Sequence, residues 1–291
     1  MTGWTIGVIG GSGLYAIDTL EDPRWITVDT PWGAPSDQLL TGRIGAVEFV
    51  FLPRHGRGHR LPPSDVNARA NIDALKRAGC TDVIAISAVG SLREDYAPGQ
   101  FVIVDQFIDR TFARDKSFFG PGMVAHVSMA DPTCPLLSGL CADAASAAGA
   151  IVVRSGTYLA MEGPQFSSRA ESLLYRQWGC DVIGMTAMPE AKLAREAELP
   201  YALVGMVTDY DCWRGDAEAV EVSAVIAQLM ANAEVGRELV VRLAKALPGE
   251  RRPSPIDTVL DNAVITALEA RDPVLLAKLD AVCARLIAAQ R

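Results

Sequence analysis

The sequence predicts an α/β sandwich, a sheet enclosed by helices, and three observations carry that prediction. Short apolar runs of strand length recur along the chain and alternate with segments of helical periodicity. Several of these runs end abruptly in Gly, Ser, Thr, Arg or Asp, as strands do when their carboxyl ends open onto a shared site. Hydrophobic residues make up 49% of the 291 positions, ample for a continuous core.

In chain order, residues 4–9 form a β-rich run that ends in Gly10-Gly11-Ser12-Gly13, a turn whose backbone N–H groups can converge on an anion. Gly11 to Ala16 also satisfies the G-x-G-x-x-A pattern of dinucleotide folds. Against that reading, Asp22-Pro23 and Thr30-Pro31-Trp32-Gly33 put turn chemistry where a helix and a second strand should follow. Strands are expected at 38–41 and 47–52, and the second runs into a basic loop containing Arg54, His55 and His59. Ser64-Asp65 can cap a helix with Ala68, Ile72, Leu75 and Ala78 on one face, stopped by Gly79. A strand from Asp82 ends near Ser87-Ala88, and another spans 101–105. The polar, Gly/Pro-broken stretch 110–122 reads as a long functional loop, with His126 following.

Residues 135–148 are helical by composition and 151–160 read as a strand. Ser168 and Glu171 form a capping box for a helix expected to turn Ala170, Leu173, Leu174 and Trp178 inward. A strand over 180–185 ends at Thr186, and Pro189 opens a helix in its first turn. The apolar run 200–206 leads into Thr208-Asp209-Tyr210-Asp211. An amphipathic helix carrying Val222, Val225, Ile226, Leu229 and Ala233 then runs to Leu247. Residues 248–255 read as a linker, and 256–290 as two helices broken at Asp272-Pro273. That piece is too short for an independent domain, so it is expected to pack on the main body or on a neighbouring subunit.

Charge and cysteine usage exclude several function classes. A formal net charge of −8 leaves no basic face for nucleic acid or an anionic membrane, so any anionic ligand must be captured by local geometry. The start has no basic lead-in of a signal peptide, and no apolar run approaches the ~20 residues that span a bilayer. Six scattered cysteines, with no C-x-x-C and no His at metal spacing, read as reduced thiols of a cytoplasmic protein without a metal site. Cys212 reads as a small buried hydrophobe.

The chemistry centres on Asp209 and Asp211. Two apart on a strand, they would point to one side with carboxyls about 6–7 Å apart. Two acids that close, shielded from water, push one towards keeping its proton near neutral pH. Alone, a D-x-D at a strand end reads as a solvated turn. Here five strand ends offer Ser12, Arg54-His55, Ser87-Ala88, Thr186 and Asp209-Asp211 to one polar site. A non-catalytic nucleotide-binding module using only the glycine turn would leave most of them without a task.

Eight stretches together resemble the trimeric purine nucleoside phosphorylase family, on its branch that cleaves 5′-methylthioadenosine: GVIGGSGLY, TPWGAPSD, RHGRGH, GSLRED, DQFIDRT, EGPQFSSRAES, GMTAMPEA and TDYDCW. The resemblance implies a three-layer sandwich with a central mixed β-sheet flanked by helices. Residues 1–247 would be the phosphorylase domain and 248–291 a linker and helical extension. It implies that inorganic phosphate, a co-substrate, attacks C1′ and releases adenine and 5-methylthioribose 1-phosphate in methionine and purine salvage, with no cofactor. Ser12, Arg54, His55, Ser87, Ala88 and Thr186 match the phosphate-binding motifs, and His55 joins the two acids as a catalytic candidate. Met185 matches the residue whose backbone meets the ribose hydroxyls, and Phe166 the aromatic on the purine. Asp209 and Asp211 match the pair that reads N7 and the 6-amino group, which favours adenine over a 6-oxopurine. Val222, Val225 and Ile226 match the methylthio pocket, His126 a residue supplied by the adjacent subunit, and His59 a residue of the loop or the 5′ pocket. The implied assembly is a homotrimer, or a dimer of trimers, with sites at subunit interfaces. Gly184 stands where other relatives carry Asn, an exchange expected to loosen the ribose side. Methylthioinosine, 5′-deoxyadenosine and adenosine remain alternative substrates, and hydrolysis an alternative reaction.

Overall fold

The computed structural model describes residues 3–11, 13–214 and 222–289. Its strands are β1 (Thr5–Gly10), β2 (Glu21–Ile26), β3 (Leu39–Ile44), β4 (Val47–Pro53), β5 (Asp82–Ser91), β6 (Phe101–Val104), β7 (Gln106–Asp109), β8 (Val152–Val153), β9 (Thr157–Ala160), β10 (Val182–Gly184) and β11 (Tyr201–Asp209). The helices are α1 (Ala68–Arg77), α2 (Pro135–Ala147), α3 (Arg169–Gln177), α4 (Ala187–Glu196), α5 (Val222–Ala246), α6 (Pro273–Lys278) and α7 (Ala284–Ala289). All strands join one mixed sheet in the order β2-β3-β4-β1-β5-β10-β9-β7, and β11 branches from β5 to carry β6 and β8. The four strands β4, β1, β5 and β11 run parallel to one another, so their carboxyl ends open at the same edge.

Alternation along the buried strands builds two cores, one on each face of the sheet. Ile84 and Ile86 of β5, with Ala202, Val204 and Met206 of β11, pack against Leu137 and Cys141 of α2 and Leu239 and Leu243 of α5. Val83, Ala85, Tyr201 and Leu203 face the other way, against Ile72 and Leu75 of α1 and Leu193 and Ala194 of α4. The result is a three-layer arrangement of helices, sheet and helices. The segment after residue 248 belongs to this second layer. Leu260, Leu279, Val282 and Cys283 are buried in the same cluster as α1 and α4, and Arg251 bridges Asp82 and Asp257.

Local chemistry accounts for the element boundaries and for several departures from the sequence reading. Helix α1 starts later than Ser64-Asp65 suggests, because the Asn67 side chain accepts the Ala70 N–H while Pro63–Asp65 forms a separate 3-10 turn. The Ser168–Glu171 capping box is present at α3, but the inward face is Ser172 and Tyr175. Leu173, Leu174 and Trp178 are 41–44% exposed, an apolar face left open. The stretch 151–160 splits into β8 and β9. Helical backbone in α4 becomes regular at Pro189, after an extended Met188. Residues 21–26 form an edge strand despite Pro23, which an edge tolerates. The extension holds 3-10 turns as well as α6, the latter capped by Asp272 with Pro273 in its first turn.

The loop after β7 is tied to the body through Glu196, whose carboxylate accepts from the Ser117 hydroxyl and the Phe118 N–H, both at 2.7 Å. Burial pushes the Glu196 carboxyl up to about 7, against those two bonds, from an ordinary 4.5. A pKa raised by folding means that the protonated form favours the native state. The stability it contributes is complete below pH 4.5 and is lost as pH rises through about 7. Glu196→Gln should flatten the fall in melting temperature across that window, measured by calorimetry between pH 4.5 and 7.5; a parallel fall in the variant would show that Glu196 is not its source.

Candidate active site

The carboxyl ends of β4, β5, β10 and β11 enclose a cavity of about 580 Å³. Arg54, His55, His59, Ser87, Ala88, Phe166, Met185, Thr186, Asp209, Asp211 and Val225 all line it. His126 and Ile226 do not line it; both are exposed, and the His126 N–H donates to the Ala263 carbonyl. Ser12 and the side chain of Val222 lie outside the described residues.

One end gathers two hydroxyls and an imidazole. Ser87 Oγ and Thr186 Oγ1 lie 3.1 Å apart. The Ser87 backbone belongs to the floor of the sheet, paired to Gly205 of β11, while Thr186 leads into α4. His55 Nδ1 donates to the Leu61 carbonyl at 2.9 Å, which leaves Nε2 as an acceptor in the neutral ring. Burial, then the neighbouring Arg54 charge, hold His55 down at about 4, so the ring is uncharged at pH 7. His59 stacks on it with ring centroids 4.3 Å apart.

Arg54 is the main departure from the sequence reading. Its fork does not stand open towards the cavity: Nε and Nη2 grip both oxygens of Glu190 at 2.9 and 3.1 Å. Nη1 and Nη2 also donate to the Ile86 and Ile9 carbonyls. Arg54 is 2% exposed, and one Nη1 N–H is left without a partner among the described residues. Glu190 further accepts from Tyr201 Oη at 2.8 Å. Nothing local in the sequence pairs Arg54 with a residue 136 positions later; the GMTAMPEA stretch that contains Glu190 was the available signal.

The other end carries the acids, arranged differently from two teeth of one strand. A register shift at Thr208 sets Asp209 opposite Gly90, and β11 stops there. Asp211 sits in a left-handed turn with φ of 51°, and its N–H donates to Asp209 Oδ1 at 2.8 Å. The carboxyls share no hydrogen bond. Gly90 makes room for them, since a Cβ there would lie 3.1 Å from Asp209 Oδ1. Burial raises the Asp209 carboxyl, and the Asp211 charge is not among the causes. Asp211 is also raised, first by burial and then by Asp209, with nearby Ser172 and Ser167 hydroxyls opposing. Thr208 Oγ1 has one proton and two acceptors within reach, Val89 O at 3.3 Å and Asp209 Oδ2 at 2.7 Å. When Thr208 donates to Val89, a protonated Asp209 can donate to Thr208. Asp211 is 8% exposed, and its Oδ2 is buried with no hydrogen-bond partner among the described residues.

Between the ends lie Gly184, Met185 and Met161, and along one side Val225, Leu229 and Ala233 present one face of α5 beside Leu14. The expectation that Gly184 loosens this region is not met. A Cβ at Gly184 would sit 2.1 Å from Tyr158 Oη, so the buried tyrosine fills the space that a side chain would take. Among the described residues no group of three or more His, Cys, Asp or Glu could hold a metal ion.

The sequence model of the Phosphorylase superfamily matches residues 5–245, and the chain belongs to that family. It is 62% identical to the S-methyl-5′-thioadenosine phosphorylase of Cereibacter sphaeroides, with 97% of this chain and 98% of that relative covered. Identity to the enzyme of the same name from Bradyrhizobium diazoefficiens is 57%, covering 99% of each. Among solved structures, a methylthioadenosine phosphorylase sourced from an antarctic soil metagenomic library superposes with a TM-score of 0.91 at 44% identity, over 97% of this chain and 99% of that one. The methylthioadenosine phosphorylase of Schistosoma mansoni in complex with adenine gives 0.77 at 34%, over 97% and 98%.

The Arg54–Glu190 pair should be felt in stability. Arg54→Met leaves Glu190 charged in a dry site, which costs about 3–5 kcal/mol. Urea unfolding of the variant measures it, and a loss within experimental error would mean that water reaches Glu190.

Proposed function

We propose that this protein phosphorolyses 5′-methylthioadenosine, yielding adenine and 5-methylthioribose 1-phosphate. The observation that carries this reading is the single cavity with hydroxyls and a neutral imidazole at one end and buried carboxyls at the other. The named relatives support the choice of nucleoside.

In this reading phosphate lies against Ser87, Thr186, His55 and the remaining Arg54 N–H, with Ser12 and Ala88 completing its cradle. A neutral His55 can accept at Nε2 from the P–OH of hydrogen phosphate, a bond that an imidazolium, protonated on both nitrogens, could not make. A phosphate oxygen forms the new bond to C1′ as the C1′–N9 bond breaks, and its electron pair moves onto the purine. The transition state has oxocarbenium character, as in glycoside cleavage. Asp209, whose carboxyl burial shifts towards its protonated form, gives a proton to N7, and Asp211 Oδ2 accepts from the 6-amino group. That pairing favours adenine, since a 6-oxo group has no hydrogen to give. Phe166 covers the base, Met185 meets the ribose, and Val225, with Val222 and His59, takes the methylthio end.

The same reading makes the chain a homotrimer, or a dimer of trimers, acting in the cytoplasm in methionine and purine salvage. The open apolar face of Leu173, Leu174 and Trp178 supports association, and an exposed His126 suits a residue lent to a neighbour's site. Residues 1–247 are taken as the phosphorylase domain, with 248–291 as its extension. No helix among the described residues is long and apolar enough to cross a membrane. Sedimentation at micromolar concentration should give three or six times the monomer mass; a monomer would remove the shared site.

Adenine release from methylthioadenosine should require phosphate, and the 6-oxo nucleoside should be cleaved more slowly. Release at equal rate without phosphate would make the protein a hydrolase. Asp209→Asn should lower kcat by roughly 10²–10⁴-fold with little change in melting temperature. Because the protonated acid is the active form and its pKa is raised, the wild-type rate should fall as pH rises through that elevated value. A variant as fast as wild type would deny Asp209 its role.

A further inference from the structure

Arg114 lies in the polar loop after β7, yet its side chain is only 5% exposed. Its guanidinium reaches the back of the cavity wall. Nε donates to Glu162 Oε1 at 2.9 Å and Nη2 to the Glu162 carbonyl at 2.6 Å. Nη1 donates to the carbonyls of Met185 and Met188, at 2.5 and 2.7 Å. Glu162 is itself held from all sides: the Ser64 hydroxyl donates to Oε1, and the Phe112 and Ala113 N–H groups donate to Oε2 at 2.6 and 3.1 Å. Despite partial burial, these bonds and Arg114 hold the Glu162 carboxyl down at about 2, so it is a carboxylate at neutral pH.

The target of this network is one stretch of backbone. The Gly184 carbonyl accepts the Met161 N–H at 2.9 Å, which fixes the peptide plane before Met185. Arg114 fixes the plane after it. With both planar peptides held, the φ and ψ of Met185 are determined. The Met185 N–H has no partner among the described residues, and Met185 lines the cavity between the anion end at Thr186 and the acids. A ligand joining an anion at one end to a base at the other must put its sugar there.

We propose that Arg114 is a positioning residue for the reaction: by holding the Met185 carbonyl it locks the peptide plane after Met185, so that the Met185 N–H, whose own plane the Gly184–Met161 bond holds, stays aimed at a sugar hydroxyl and Thr186 stays in step with it. Glu162 acts behind it as the anchor that fixes the guanidinium. The inference rests on the functional reading above. Arg114 touches no reacting atom, so its removal acts on sugar recognition and leaves the proton transfer to the base in place.

The test compares methylthioadenosine with its 2′-deoxy counterpart in wild type, Arg114→Met and Arg114→Lys, with steady-state constants for nucleoside and phosphate. Wild type should prefer the ribonucleoside. In Arg114→Met the nucleoside KM should rise about tenfold and the preference shrink by a similar factor, the scale of one misdirected hydrogen bond. Arg114→Lys, which can hold one carbonyl, should recover part of it. Should Arg114→Met fail to fold, Glu162→Gln keeps the volume and loosens the anchor, and it should move the same ratio in the same direction. Folded variants with an unchanged ratio overturn the inference while leaving the functional reading intact. A wild type without phosphate-dependent cleavage overturns that reading, and the inference falls with it.

Discussion

The buried contact between Arg54 and Glu190 is the constraint on which the geometry of the cavity depends. Arg54 follows β4, Glu190 lies in the first regular turn of α4, and Tyr201 begins β11; the remaining bonds of the guanidinium reach the carbonyls of Ile9 in β1 and Ile86 in β5. One side chain thus joins four elements at the floor of the site, and Glu190 adds a fifth, β11, through Tyr201. Ion pairs this dry are not efficient stabilisers compared with apolar packing, because both partners lose their hydration. Their value lies in geometry. Arg–carboxylate forks tolerate little misalignment, and loss of either partner strands a charge.

A second arginine completes that arrangement from the other side. Arg114 holds the carbonyls of Met185 and Met188, while Arg54 holds the carboxylate of Glu190. The segment from 185 to 190 is therefore clamped between two guanidiniums, and it carries Thr186 to within 3.1 Å of Ser87. Charge is satisfied internally at both clamps. For the proposed phosphate, a chain of net charge −8 offers hydroxyls and a neutral imidazole at the cavity wall, a local geometry that would have to outweigh the long-range field.

The same exclusion of water sets the proton chemistry at the opposite end. Burial raises Asp209 and Asp211 and lowers His55, so each group is shifted towards its neutral form. Repulsion between the two acids is secondary. The turn after β11 separates their carboxyls and lets the Asp211 backbone, not its side chain, contact Asp209. Asp211 Oδ2, without a partner among the described residues, is in such surroundings a standing demand for a hydrogen-bond donor.

Much of this was legible in the chain before folding. Apolar runs with abrupt polar ends located β1, β4, β5 and β11, the Ser168 box located the start of α3, and the clustering of strand-end residues at one edge follows from parallel strands sharing a direction. The outward face of α3 was not legible, because periodicity shows that a helix has an apolar stripe without showing what covers it. What the sequence by itself determined is therefore the identity of the elements and of the groups at their ends, since these depend on local spacing and side-chain chemistry. Only the tertiary structure decided that the Arg54 fork is occupied, that Tyr158 fills the space beside Gly184, and that Arg114 reaches Met185. Each of those facts pairs residues distant along the chain, and distance through space is set by packing, which no local pattern encodes.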